Sequence, residues 1–429
     1  VSASYTIRCR GCDATYADDG EILMCANGCT ALLVSDYDER SFQPDAGVDG
    51  TFRYHRWLPV RRRFAGTGTV AVFRADAWGA AYGLTDLWFA FSGFWPERGA
   101  SLETATFKEL EAYAVLGRLP DDEDRTLVVA SAGNTAAAFA RACSKYGRRC
   151  AIVVPGTALP RLRFVEPLAP CVAIVEVDGT YDNAIVFARK LAALPGFVLE
   201  GGVRNVARRD GMGTVMLAAA ERIGRLPDAY VQAVGSGAGA LAANEAAGRL
   251  VRDGRFGTTR PRLLLSQNRP FTPMVDSWAD RSATLRPLDA AVARERIAAI
   301  GAQVLSNQTP PYAVPGGVRE ALAATDGEMF GIDNQHASES AARFLAMEGI
   351  DLEPAAAVAL ASLPAVASAL DDRDRCVLLH LTGGGWERFR APLAAHEARP
   401  AVRVSARETE SSDALERVRT ALELRPALA

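Results

Sequence analysis

Of the 48 basic side chains in this chain, only Lys108, Lys145 and Lys190 are lysines; all the others are arginine. The distinction matters chemically. A guanidinium stays protonated, whereas an amine can lose its proton, act as a base and form an imine with a carbonyl. Lys145 (Cys143-Ser-Lys-Tyr146) and Lys190 (Phe187-Ala-Arg-Lys190) lie in helical, partly charged surroundings and read as surface lysines. Lys108 follows Thr104-Ala-Thr106-Phe107 at the start of an apparent helix. A side chain there points back towards the loop ends.

Three apolar runs end in polar, small-residue turns: Ser131-Ala-Gly-Asn134-Thr135, Gly235-Ser-Gly-Ala-Gly239 and Thr382-Gly-Gly-Gly385. Glycine in such turns lets backbone N–H groups approach an anion, and a following helix N-terminus adds a favourable dipole. Gly235-x-Gly237-x-x-Ala240 also fits a loose dinucleotide fingerprint, but that site needs an acid at the end of the next strand. The next strand, Arg262–Leu265, runs into Ser266-Gln267. A cradle for a single phosphate fits better, with a tight strand–helix turn lacking any ligand as the plain alternative. A phosphate cradle, an asparagine loop and an unreplaced lysine together suggest pyridoxal phosphate, whose carbonyl takes an imine from lysine.

A second chemistry sits at the N-terminus. Cys9-x2-Cys12 and Cys25-x3-Cys29 resemble the two knuckles of a zinc ribbon, four thiolates for a tetrahedral, structural Zn²⁺. The alternative is a knuckle without metal. Nearby Asp13, Asp18, Asp19 and Glu21 disfavour nucleic-acid binding. Cys143, Cys150, Cys171 and Cys376 lie among apolar residues and read as buried thiols.

The elements that must position these residues follow from periodicity. From about residue 125, short β-branched runs alternate with helical spacing: Thr126–Ala130, a helix to Tyr146, Cys150–Val154, Val172–Val177, Tyr181–Leu194, Met212–Ile223, Tyr230–Val234, a helix to Val251, Arg262–Leu265 and Cys376–Leu381. Alternation of this kind predicts α/β architecture with parallel strands covered on both faces. Residues 1–44 read as the cysteine-knuckle module, Phe42–Thr51 as a linker, 45–404 as the catalytic region with a smaller inserted domain at roughly 110–210, and 405–429 as one charged helix. His380 lies inside an apolar run and reads as a core histidine, and Arg61–Arg63 as a solvated run.

Composition narrows the partners. The chain has 429 residues, a formal net charge of −3 and no long basic block, which disfavours nucleic acid and anionic membranes. No apolar run reaches the ~18 residues of a membrane span. No secretory leader is visible, so a cytoplasmic location is expected.

Taken together, Thr106-Phe-Lys108 and the three turns resemble the threonine-synthase-like branch of the fold-type II pyridoxal-phosphate enzymes, tryptophan-synthase-β-like in fold. Within that branch the chain is most similar to the cysteate synthase family of methanogenic archaea, over nearly its whole length. The matching stretches are Phe91–Glu97, Phe107–Ala112, Glu200–Arg209 with Gly211–Met216, Gln232–Gly237, Pro310–Tyr312 and Pro315–Gly317. Threonine synthases usually carry Ser-Phe-Lys-Asp-Arg at the lysine; here it is Thr106-Phe-Lys-Glu-Leu110.

The resemblance implies two parallel-sheet domains with the cofactor between them. It implies a transferase that replaces the phosphate of O-phospho-L-serine by sulfite to give L-cysteate for coenzyme M, with threonine synthase acting on O-phosphohomoserine as the alternative. Lys108 would hold pyridoxal phosphate and move the α-proton. Asn134 would bond its 3′-oxygen, Thr382 would face its ring nitrogen, and Gly235, Ser236, Gly237, Ala238 and Gly239 would cradle its phosphate. Ser131, Gly133 and Thr135 would meet the substrate carboxylate, and Arg204, Arg208 or Arg209 the substrate anions. The expected partners are small molecules, and the expected assembly is a homo-oligomer.

Overall fold

The computed structural model describes residues 4–120, 124–131, 133–390 and 396–423. Two parallel sheets dominate. The smaller runs Phe197–Leu199, Thr126–Ala130, Cys150–Pro155, Val172–Asp178, Val402–Ser405 in spatial order, all parallel. The larger runs Glu328–Ile332, Arg262–Asn268, Ala229–Ala233, Cys376–Leu381, Asp86–Phe91, all parallel, and is closed at one edge by antiparallel Ala71–Arg74. Central strands such as Cys150–Pro155 and Cys376–Leu381 are buried at every position. This is why they read as continuous apolar runs rather than alternating ones. Among the described residues, no helix is long and apolar enough to cross a membrane.

The helix Lys108–Arg118 lies against Val206–Ile223, which lies in turn against Ala238–Asp253. Two glycines permit this spacing. A Cβ at Gly211 would sit 2.4 Å from the Leu110 carbonyl oxygen, and one at Gly213 would sit 3.0 Å from that of Ala242. The lysine helix is therefore seated backbone to backbone, which sets where Lys108 can reach. The Val206–Ile223 helix starts at Asn205, whose side chain accepts from the Ala207 N–H at 3.1 Å, and ends at left-handed Gly224.

The cysteine module is a three-stranded antiparallel sheet, ordered Thr15–Tyr16, Tyr5–Cys9, Leu33–Tyr37. Buried polar bonds fasten it to the body. The fully buried Arg118, at the far end of the lysine helix, donates to Asp18 at 2.6 and 2.9 Å and to Asn205 at 3.0 Å. Tyr37 Oη donates to Asp210 at 2.7 Å.

Two expectations need correction. Phe42–Thr51 is not a free linker: Phe42 is buried and packs its ring on Tyr54, Trp57 and Phe256, so an aromatic anchor outweighs the surrounding turn residues. The tail, expected as one charged helix over 405–429, opens with a 3₁₀ turn at Ala406–Glu410 before the helix Ser412–Glu423, and 424–429 lie outside the described residues. Val402–Ser405 pairs in parallel with Val172–Asp178, and Ser412–Glu423 buries Ala414, Val418 and Leu422 against the same smaller sheet's core. The run Arg61–Arg63 is also more engaged than expected: Arg61 and Arg62 donate to the carbonyls of Asp18 and Pro120.

Candidate active site

The turns after three parallel strands converge on the start of the lysine helix. Phe107 N–H donates to the Thr382 carbonyl at 3.0 Å, and Thr106 bridges Gly383. A Cβ at Gly239 would lie 2.9 Å from the Phe107 ring. Asn134 Nδ2 reaches Glu353 Oε1 at 3.4 Å, and the Glu353 N–H donates to the Gly383 carbonyl at 3.1 Å. Glu353 thus ties the Asn134 turn of the smaller sheet to the Thr382 turn of the larger. Ligands of open parallel sheets bind beyond such strand ends.

Lys108 is largely buried. Its Nζ lies 3.2 Å from Glu111 Oε2, 3.7 Å from Met212 Sδ and 4.5 Å from the centre of the Phe107 ring. Burial pushes the amine below its ordinary range, helped by the Arg208 charge and opposed by Glu111. Immediately upstream, Ala105 holds a left-handed backbone (φ 54°), a strained conformation that sets the direction in which the chain enters the helix. Lys145 and Lys190 stand on other helices, paired with Glu103 and Glu410.

Around Lys108 lies a buried charge network. Arg208 contacts Glu200 at 2.9 Å and Glu111 at 3.1 Å, and also donates to Thr135 Oγ1 at 3.0 Å. Thr135 Oγ1 donates to Glu111 at 2.7 Å. Two cations thus face two carboxylates, so the constellation has no excess positive charge. Attraction for an anionic substrate must then come largely from backbone N–H groups. The first turns of Asn134–Lys145 and Ala238–Asp253 supply them, since such groups have no intrahelical acceptor.

The structure sorts the expected residues. Arg208 is in the network. Arg204 is not: it turns to the cysteine module, its Nη1 donating to the Thr30 carbonyl at 3.4 Å. Arg209 is fully buried away from the site, bonded to Glu245 and to the carbonyls of Val203 and Leu33. The reason is helical geometry: consecutive arginines at a helix start project in different directions. Thr135 is adjacent but its hydroxyl is committed to Glu111, which leaves its N–H for a ligand. Ser131 Oγ accepts from the Gly133 N–H at 3.4 Å and shapes that turn. In the Gly235–Gly239 turn, Gly237 is left-handed (φ 81°), Ser236 Oγ accepts from the Ala238 N–H at 3.3 Å, and a helix follows.

Whether pyridoxal phosphate fits is testable on buried atoms. Thr382 Oγ1 and Thr106 Oγ1 are both buried without a hydrogen-bond partner among the described residues, on the two residues that flank Phe107 by backbone bond and by sequence. Orphaned hydroxyls of this kind are costly unless a ligand satisfies them. Together with the buried amine and the helix N-terminus after Gly237, they match the ring and phosphate of the cofactor. His380 is a satisfied core residue: its nitrogens meet Ser92 Oγ at 2.9 Å and Tyr230 Oη at 2.8 Å. Burial pushes its pKa down to about 3, and its ring supports Phe107 edge-on at 5.1 Å.

Glu111, Glu200 and Glu353 escaped the sequence reading. Glu111 carried a signal, an acid three residues after the lysine and hence on its face of the helix. Glu353 carried none, lying far away in sequence.

At the N-terminus the sulfurs of Cys9, Cys12, Cys25 and Cys29 all lie within 4.8 Å of one another. Thiolates at about 2.3 Å from a tetrahedral zinc lie about 3.8 Å apart, so the cluster fits that ion. Gly11 N–H and Asn27 Nδ2 donate to the Cys9 and Cys12 sulfurs, bonds that orient the sulfurs and favour their thiolate form.

Comparison with known proteins agrees with this geometry. The family model for pyridoxal-phosphate dependent enzymes matches residues 99–383. The chain is 48% identical to a cysteate synthase of Methanosphaerula palustris over 90% of its own length and 91% of the relative's. It is 44% identical to one of Methanoculleus marisnigri over 97% and 96%, and 41% identical to one of Methanosarcina barkeri over 92% and 96%. Among solved structures, maize serine racemase superposes with a TM-score of 0.56 at 18% identity, covering 74% of this chain and 88% of that one. A threonine deaminase of Solanum lycopersicum gives 0.54 at 16%, covering 73% and 83%. At those identities the structures speak for the fold alone.

Proposed function

The chain belongs to the cysteate synthases, a family of pyridoxal-phosphate dependent enzymes, and on that premise we propose how its residues replace the phosphate of O-phospho-L-serine by sulfite. The observation that carries the reading is the buried Lys108 amine at the meeting point of strand ends from both sheets.

When bound, pyridoxal phosphate supplies a carbonyl for the amino group and an electron sink for the charge left by the α-proton. The remaining roles belong to the protein. Lys108 Nζ takes that proton, the β-carbon's C–O bond breaks and phosphate leaves with its electron pair, sulfite adds at the β-carbon, and Lys108 then returns the proton to the α-carbon. Its lowered basicity suits this task, because less of the amine is held as ammonium and more is free to accept a proton. Glu111, 3.2 Å away, holds the ammonium form against the pull of burial, so the amine cycles between both states. Asn134 and Thr382 orient the ring from opposite domains. N–H groups of the Ser131–Thr135 turn take the substrate carboxylate, and Arg208, whose Nε is buried without a partner, takes an anionic group of the substrate.

Two predictions arise here. Thr382→Asp places a carboxylate where a hydroxyl stands, which holds a proton on the facing ring nitrogen and strengthens the electron sink. Side products, including transamination, are expected to rise relative to cysteate; an unchanged product partition would count against this role. The cysteine cluster is expected to bring about one equivalent of zinc through purification, read by elemental analysis. Cys12→Ser with Cys29→Ser is expected to lose the metal and loosen the module, while the body keeps its fold.

The deciding assay is phosphate release from O-phospho-L-serine and from O-phosphohomoserine, each with and without sulfite. Sulfite-dependent release from phosphoserine is expected. Turnover of phosphohomoserine without sulfite would overturn the reading in favour of threonine synthase.

A further inference from the structure

Away from Lys108, the seam between the cysteine module and the body holds an open, arginine-rich hollow. Arg8 and Arg10 reach it from the module. Asn244, Glu245 and Arg252 face it from the helix Ala238–Asp253, and Arg260 from the loop that follows. Its carboxylates are already engaged. Glu320 pairs with Arg10 at 3.2 Å, Asp36 with Arg40 at 3.0 Å and Glu245 with Arg209 at 3.1 Å.

Arg252 and Arg260 have no ion pair or hydrogen bond among the described residues. Arg260 is nonetheless held: its guanidinium lies against the helix at Gly248, where a Cβ would sit 2.7 Å from Nη2. Asn244 Oδ1 and Arg8 Nε line the same hollow, buried and without partners. Both side chains are exposed overall, but partial desolvation and neighbouring guanidinium groups, Arg249 and Arg40 around Arg252 and Arg10 beside Arg260, hold both below their ordinary range against the pull of Asp36 and Glu245. Lysine could answer such crowding by shedding a proton, but arginine cannot. A counter-anion held by both guanidinium groups would relieve that crowding.

We infer that this seam is a second binding site, taking a tetrahedral dianion of the phosphate class between Arg252, Arg260 and Arg10. Two unpartnered guanidiniums call for two negative charges, which a carboxylate does not carry. Their planar forks match phosphate oxygens, and the buried Arg8 Nε–H can donate to a remaining oxygen, as can Asn244 through Nδ2, its Oδ1 being an acceptor only. The ligand would bridge the module to the helix whose opposite end carries the Gly235–Gly239 turn. Inorganic phosphate and a phosphate monoester share this chemistry.

The test is hydrogen exchange on the holoenzyme with inorganic phosphate, O-phospho-L-serine or sulfate, read in two segments, Tyr5–Cys9 and residues 246–260. Phosphate is expected to slow exchange in both segments in a saturable way. Arg252→Gln with Arg260→Gln is expected to weaken that dependence about tenfold or more, as loss of charged hydrogen bonds does. The double variant should keep the wild-type kcat, because neither side chain approaches Lys108. Arg260→Lys, which retains the charge, should bind between the two. Protection by phosphate and sulfate alike supports a site for any tetrahedral dianion, and protection by phosphoserine alone supports one for the monoester. If none of the three protects either segment, or if the double variant is protected at the same concentrations as the wild type, there is no such site.

Discussion

Lys108→Ala is expected to lower turnover by at least about 10³-fold, the scale of a lost general base, and to remove the cofactor's absorption near ~410–430 nm. The more informative variant is Lys108→Arg. In the structure Lys108 is also the ion-pair partner of Glu111, at 3.2 Å. If that pairing were its whole task, arginine would restore both activity and absorption. If the task is a neutral amine, arginine fails, because its guanidinium neither forms the imine nor gives up a proton. Failure of both variants, with folding intact by circular dichroism, is the expected result. An unchanged spectrum in Lys108→Ala would remove Lys108 from the site altogether. The pH profile carries the same logic. The amine must be neutral to accept a proton, so activity rises with pH along this limb. Burial places the limb lower than for an exposed lysine. Glu111→Gln takes away the charge that favours the ammonium form, so the limb is expected to move to lower pH still.

Arg208→Leu is expected to be the most damaging change to stability near the site. Arg208 is only 12% exposed and stands between Glu111 and Glu200, whose side chains are 0% and 5% exposed. Removing one partner from a buried charged set costs about 3–5 kcal/mol, because the other charges stay behind unneutralised. A fall in Tm of about 3–6 °C follows for a chain of this size, at roughly 2.1 cal/mol/K of unfolding entropy per residue. Arg208→Leu with Glu200→Leu removes a cation and an anion together and is expected to recover much of the loss. Activity separates stability from binding: the double variant should regain its Tm but keep a raised KM for phosphoserine. Recovery of KM together with Tm would assign Arg208 a purely structural role.

The fold was largely legible in the sequence. Buried parallel strands must be apolar on both faces, so runs such as Cys150–Pro155 and Cys376–Leu381 announce themselves. The glycine turns were legible too, since φ 81° at Gly237 is a conformation that side chains resist. The arginines were not. Arg204, Arg208 and Arg209 are alike on paper, yet they reach Thr30, Glu111 with Glu200, and Glu245. Which of them meets the site depends on how the helix Val206–Ile223 is rotated against the lysine helix, and Gly211 decides that by close contact with Leu110.

Alone, the sequence singled out the candidate reactive group. With three lysines, only one sits where small hydroxyl residues lead into a helix beside anion-ready turns. Amine chemistry is a property of residue type, and local spacing suffices to locate it. The tertiary structure decided the surroundings that favour amine chemistry at this residue: the burial that lowers its basicity, Glu111 and Arg208 in balance beside it, and Glu353, 219 residues from Asn134, joining the Asn134 turn to the Thr382 turn. Desolvation and charge pairing fall off steeply with distance in space and take no account of distance along the chain. Only packing could set them.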